Sequence, residues 1–145
     1  MSKPERTARS QYQTKVREDF PDVLKLGDDT FVKKFPMRYG ENPGYPAAFY
    51  QEDGASGPNM GRLEILQEGT KGLSYINVGD MDLGQRLVRK LVQVFPGRRV
   101  CVIIKHEMPS GVALGDDPVG TFEKAWACDS LSNFGGVDVI SYKVC

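Results

Sequence analysis

The chain has 145 residues, 40% of them apolar, and 19 basic side chains balance 19 acidic ones. That length suits one domain with a real core, and a formal net charge of zero excludes a general electrostatic pull towards nucleic acid or a membrane surface. There is no long apolar run, no secretory h-region, no cysteine pairing pattern among Cys101, Cys128 and Cys145, and a single histidine; a soluble, cytoplasmic protein with no metal, binding a small molecule or another protein, is the expectation.

Residues 1–19 read as a polar N-terminal arm. Between Pro4 and Asp19 a short helix is conceivable but its apolar face is thin. A solvated arm is one reading, and a partner contact through Arg6, Arg9, Lys15 and Arg17 is the other. Phe20-Pro21 closes the arm, and residues 20–145 are expected to fold. Residues 23–26 and 30–35 then read as extended segments around a Gly-Asp-Asp turn, stopped by Pro36. The following stretch, Met37 to Pro46, is dense in turn formers yet holds Arg38, Tyr39, Glu41 and Asn42 close together; such loops carry function more often than core elements do. Residues 47–51 predict a short strand, and Leu63, Ile65 and Leu66 a return to the core after a Gly/Pro-rich loop.

A second polar loop, 69–80, carries Asn77 and precedes a helix that Asp80 or Asp82 can cap. Leu83, Leu87, Leu91 and either Val94 or Phe95 follow at helical spacing, with Val88 and Val92 widening the stripe, until Phe95-Pro96-Gly97 ends it. Val100 to Ile104 is a continuous apolar run, the pattern of a strand covered on both faces as in parallel α/β sheets. It runs into Lys105, His106 and a Pro-Ser-Gly turn. Asp117 then caps a helix with Pro118 as its first residue and Phe122, Ala125 and Trp126 as its buried face. A loop from Asp129 to Gly136 leads into a last strand candidate, 137–144. Helix, strand, helix, strand indicates a layered α/β fold.

Chemistry concentrates at the end of the apolar run. A neutral imidazole can accept a proton near pH 7, so His106 is a candidate general base, and Lys105 can stabilise developing negative charge. Neighbours in a regular strand face opposite ways. Both side chains serve one site only where the strand ends or bends, for which Pro109 and Gly111 are the candidates. A surface lysine beside a hydrogen-bonded histidine gives the same letters. The Gly135-Gly136 pair can likewise cradle a ligand or simply turn the chain.

Four segments, Arg38-Tyr-Gly-Glu-Asn-Pro43, Leu73-Ser-Tyr-x-Asn77-x-x-Asp80-x-Asp82, Ile104-Lys-His-x-x-Pro-x-Gly-Val-Ala113 and Asp129-x-x-Ser-x-Phe-Gly-Gly136, occur in that order. Together they resemble the transformylase part of the bifunctional AICAR transformylase/IMP cyclohydrolase family, over roughly residues 20–140. The resemblance implies a three-layer α/β/α, cytidine-deaminase-like fold and formyl transfer from 10-formyltetrahydrofolate, the formyl donor, to the amine of aminoimidazole carboxamide ribonucleotide (AICAR). It implies that Arg38 and Tyr39 hold the nucleotide, that Lys105 stabilises the transition state, that His106 takes the proton of the attacking amine, and that Asn77 and Gly135 line the site. Asn42, Asp80, Ser132 and Phe134 are supporting candidates. Met108-Pro109-Ser110-Gly111 stands where the family usually has Asn-Pro-Cys-Gly, Gly44-Tyr45 replaces His-Gln, and Ser130 replaces a frequent proline.

The resemblance corresponds to the first of two deaminase-like halves, so a homodimer or a chain carrying the second half is the expected partner. A non-catalytic nucleotide-binding or regulatory module, a partner subunit linked to the cyclohydrolase, and the same fold acting on another substrate are the alternatives. Deaminase chemistry is not implied, because His106 is followed directly by Glu107 and the P-C-x-x-C zinc half is absent.

Overall fold

The computed structural model describes residue 10, residues 12–69 and residues 71–143. Part of the expected polar arm, including Arg6 and Arg9, and Cys145 lie outside the described residues. Residues 14–20 have no regular structure. The chain folds as an α/β protein with two antiparallel sheets, in two compact units, Met1–Tyr75 and Ile76–Cys145.

The first unit is built on β1 (Val23–Leu26), β2 (Asp29–Pro36) and β3 (Ala48–Glu52), paired antiparallel in that order. Gly27-Asp28 is the turn between the first two strands, with Gly27 at φ 64 in the first central position, where a two-residue hairpin turn favours glycine. Phe35 and Phe49 stack across β2 and β3 with ring centroids 5.2 Å apart. A short 3-10 turn, Met60–Arg62, follows. The expected return of the next segment to the core fails: Leu63 is half-buried, whereas Ile65 and Leu66 are exposed.

The second unit holds α1 (Tyr75–Val94, whose first residue closes the first unit), β4 (Arg99–Lys105), β5 (Met108–Gly115), α2 (Pro118–Ala127) and β6 (Val137–Ile140). Its sheet has the order β5-β4-β6, with β4 antiparallel to both neighbours. The parallel sheet expected from the Val100–Ile104 run is therefore corrected, while the coverage of both faces is explained. Val100, Val102 and Ile104 pack with Val88, Leu83, Leu87 and Leu91 of α1. Cys101 and Ile103 pack with Ala125 and Trp126 of α2. Successive strand residues point to opposite faces, so a helix on each side makes every position of β4 apolar.

Two glycines allow the helices to come this close. A Cβ on Gly84 of α1 would stand 2.5 Å from Val139 Cγ2. One on Gly111 of β5 would overlap the Ala125 carbonyl oxygen of α2. The expected Pro109-Ser110-Gly111 turn is instead part of a strand. Pro109 and Gly111 lie within β5, which is an edge strand where a missing N–H is tolerated.

The helix α1 also starts earlier than expected, at Tyr75, so Asp80 and Asp82 lie inside it and neither caps it. Asp82 instead pairs with Arg86 one turn on, at 3.1 Å. The cap on α2 is as the sequence indicates: Asp117 accepts the Gly120 N–H at 2.6 Å and Pro118 is the first helical residue. No helix of the described residues is long and apolar enough to cross a membrane.

Candidate functional site

The β4–β5 hairpin closes through Lys105 and Met108 as partners, leaving His106 and Glu107 as the two central residues. Their φ values are 53° and 61°. Positive φ at both positions is the signature of a type I′ turn, whose twist matches that of the flanking strands. The strand therefore ends at Lys105, and the opposite-face objection to a joint role for Lys105 and His106 lapses. The bend comes from this turn; Pro109 and Gly111 take no part in it. His106 is exposed at the tip.

Lys105 is not a free surface cation. Its Nζ donates to the carbonyl oxygens of Ser132 at 2.6 Å and Phe134 at 2.9 Å. An ammonium has three donors, so one N–H is left with no partner among the described residues. The loop that supplies these carbonyls, 128–136, is itself braced. Asn133, only 2% exposed, donates from Nδ2 to Trp126 O at 2.7 Å and accepts the Ser110 hydroxyl at Oδ1 at 2.6 Å. Ser110 can reach because it is the extra residue where the β4–β5 register shifts between Ile103 and Ile104, and a bulge re-aims a side chain. Asp129 accepts the Ser132 N–H at 3.0 Å. Hydrogen bonds from the Ser132 side chain and backbone hold the Asp129 carboxyl below the usual carboxylate range, and the Lys105 charge adds to the effect.

The two glycines of this loop do different things. Gly135 has φ 80° and open space where a Cβ would sit, so only its backbone conformation demands glycine. Gly136 passes close to the end of β4: an added Cβ would lie 2.9 Å from Ile104 O. Asp80, on α1 and 3% exposed, accepts the Glu107 N–H at 2.7 Å. Asn77 lies one turn before it on the same face, half-buried. Phe134 and Leu131 are exposed at 80% and 92%, and Met108 at 69%.

Among the sequence candidates, the second unit brings Lys105 together with Ser132 and Phe134, and Gly135 follows directly in that loop. It also joins the His106–Glu107 turn to Asp80. Arg38, Tyr39 and Asn42 belong to the first unit. There the Arg38 guanidinium lies 5.0 Å over the Tyr39 ring, and Tyr12 meets that ring edge-on at 5.9 Å. Tyr39 is buried and its carbonyl accepts the Tyr75 N–H at 3.1 Å. The Arg38 N–H donates to Leu73 O at 2.6 Å. Asn42 is exposed, its carbonyl accepting from Tyr45 N–H at 3.3 Å in the Gly/Pro loop.

Sequence reasoning missed Asn133 and the Ser110 hydroxyl that meets it. The signal available was a lone amide in a Ser/Gly loop, which any turn would also supply. Among the described residues no group of three or more His, Cys, Asp or Glu gathers to hold a metal. The arrangement offers a partly satisfied ammonium, an exposed imidazole on the next residue, and exposed apolar side chains at Met108, Leu131 and Phe134. Groups of these types can take a proton and stabilise an oxyanion.

Comparison with known proteins gives one family match and three relatives. The family model described as AICARFT/IMPCHase bienzyme matches residues 6–144. The chain is 41% identical over 121 residues to the bifunctional purine biosynthesis protein PurH of Acidithiobacillus ferrooxidans, covering 83% of this chain and 21% of that protein. It is 36% identical over 122 residues to the protein of the same name from Clostridium acetobutylicum, covering 84% and 22%, and 36% identical over 128 residues to that of Sorangium cellulosum, covering 88% and 23%. The chain thus spans less than a quarter of the length of these relatives.

Proposed function

The chain belongs to the AICARFT/IMPCHase bienzyme family, and from that premise we propose that it works in purine biosynthesis, contributing residues to formyl transfer from 10-formyltetrahydrofolate to AICAR. The single observation that supports this most is the Lys105 clamp. It ties the Lys-His turn to the Ser132–Gly135 loop, two of the four segments on which the resemblance rests.

The chemistry follows from those groups. The AICAR amine is conjugated to its ring and is a poor nucleophile, so its attack on the formyl carbon needs a proton removed as the bond forms. His106 takes that proton. The formyl oxygen becomes an oxyanion, and the remaining N–H of Lys105 stabilises it. Collapse of the tetrahedral intermediate breaks the carbon bond to N10 of the folate, and the His106 imidazolium returns the proton to that nitrogen. Products are the formylated nucleotide and tetrahydrofolate. Arg38 and Tyr39 hold the nucleotide, the guanidinium fork suiting a phosphate. Asn77 and Gly135 line the site, and Asn42, Asp80, Ser132 and Phe134 support it.

The fold proposed for this role is a three-layer α/β/α, cytidine-deaminase-like domain over residues 20–145. The helix on each face of the β5-β4-β6 sheet supports it. The partner proposed is a second copy, or a chain carrying the second transformylase half, and the setting proposed is the cytoplasm.

Purified chain, alone and mixed with candidate second-half chains, is supplied with both substrates and assayed for formylated nucleotide. Product that disappears in His106→Ala, with calorimetric AICAR binding retained, is the expected result. No product with any partner ends the enzymatic reading; nucleotide binding that Arg38→Ala abolishes would then leave a binding module.

A further inference from the structure

We propose that Gly79-Asp80 on α1 is the positioning element of the Lys105–His106 turn, with Asp80 acting through the backbone of Glu107 and making no contact with substrate. What the turn does rests on the formyl-transfer reading above; what holds it in place rests on geometry alone.

Type I′ turns ordinarily carry Asn-Gly or Asp-Gly, because positive φ is unfavourable for other L-residues. Here the two positions carry His106 and Glu107, at φ 53° and 61°. A turn occupied this way persists only where its surroundings over-determine it, and such conformations cluster at functional sites. The sheet fixes its ends, through Lys105 and Met108. The tip is fixed by α1. Asp80 Oδ1 accepts the Glu107 N–H at 2.7 Å. One residue earlier, the Glu107 carboxylate lies over Gly79, where a Cβ would stand 3.3 Å from Oε1. A larger residue at 79 would make that carboxylate give way by a few tenths of an ångström.

The helix has no use of its own for either residue. Glycine and aspartate are both poor helix formers, and a buried carboxylate costs free energy unless it is hydrogen-bonded. Asp80 is 3% exposed. A charge-assisted bond to a backbone N–H is the interaction that offsets this cost. Its effect passes to the chemistry through one peptide plane. The Glu107 N–H belongs to the peptide that follows His106, so anchoring it sets ψ of His106 and the direction in which the imidazole leaves the main chain. Catalytic groups need orientation to within roughly 10–20°.

The test uses the full chain and five forms: wild type, Asp80→Ala, Asp80→Asn, Glu107→Gly, and Asp80→Ala with Glu107→Gly. Amide exchange at Glu107 and the ring signal of His106 are read by NMR, with Val102 and Ile103 as internal controls. Asp80→Ala is expected to raise Glu107 exchange about 10- to 100-fold and move the His106 signal, leaving the two control amides unchanged. Asp80→Asn keeps an acceptor oxygen and restores both. Glycine at 107 tolerates positive φ, so in that background Asp80→Ala has a smaller effect. Unchanged Glu107 exchange in Asp80→Ala, or an equal rise at Val102 and Ile103, overturns the proposal. In an assembly that turns over, Asp80→Ala lowers kcat with KM for the nucleotide unmoved, and equal kcat would overturn it too. Absent turnover in wild type with the exchange pattern intact defeats the formyl-transfer reading and leaves the positioning role standing.

Discussion

Replacing Gly111 by alanine tests whether the approach of α2 to the sheet is as tight as it looks. The new Cβ would overlap the Ala125 carbonyl oxygen and stand 3.0 Å from its carbon. Both atoms are helix backbone, which cannot rotate away as a side chain can, so α2 must lift off β5. Overpacking of this kind costs about 1–3 kcal/mol. Alanine returns roughly 0.5–1 kcal/mol by restricting the unfolded chain, leaving a net loss of about 1–2 kcal/mol. With a urea m value of about 1–3 kcal/mol/M, the midpoint falls by roughly 0.3–2 M. Trp126, the sole tryptophan, sits on α2 against the Cys101–Ile103 core, and its fluorescence reports this interface. Gly84→Ala on the opposite face is the control. Its clashes are with Val139 and Ile104 side chains, Val139 Cγ2 at 2.5 Å, and the gain of about 1 kcal/mol for an alanine inside a helix offsets part of that cost, so its midpoint falls by less than that of Gly111→Ala. A Gly111→Ala midpoint equal to or above that of wild type would refute the account of the α2 contact.

Three further outcomes follow from the site. Lys105→Met removes both bonds to the 128–136 loop and is expected to raise amide exchange there, at a stability cost of about 1 kcal/mol for a partly solvated cation; exchange confined to the wild-type level would sink the clamp. Because the Asp129 carboxyl is held low, its contribution to the loop is complete above the ordinary carboxylate pKa of ~3.9 and is lost as pH falls through the lower folded value. The Ser132 amide signal should therefore broaden or shift only in strongly acid solution, and in Asp129→Asn that step should vanish. Burial, with a smaller contribution from Asp138, pushes the Cys101 thiol up to about 11. Iodoacetamide at pH 8 is expected to label exposed Cys128 and spare Cys101, as peptide mapping would reveal; rapid labelling of Cys101 would contradict the packed core.

Much of the second unit was legible from the order of its letters. Val100 to Ile104 marked a strand covered on two sides, and Asp117-Pro118 marked a helix start, because both signals are local. Strand direction was not legible. The turn that makes β4 and β5 antiparallel is His-Glu, where a hairpin signal would be Asn-Gly, and Pro109 with Gly111 imitates a loop although each has a place in an edge strand. The start of α1 was obscured in the same way by Gly79 and Asp80, residues that serve the neighbouring hairpin at the helix's expense. At the site, Lys105 and His106 were evident as reactive types. Their tie to Ser132 and Phe134 passes through main-chain carbonyls, which carry no letter, and it was anticipated only by the resemblance of four separated segments. Asn133 escaped for want of any pattern around it.

The alternation of β4 has a consequence for change over time. One strand serves as the common wall of two cores, with Val100, Val102 and Ile104 given to one and Cys101 and Ile103 to the other. Substitutions of even parity are negotiated with α1 and those of odd parity with α2, so either helix can drift in sequence while the opposite compartment stays as it is. The partition ends at Lys105, whose side chain answers to the carbonyls of the 128–136 loop instead of a helix.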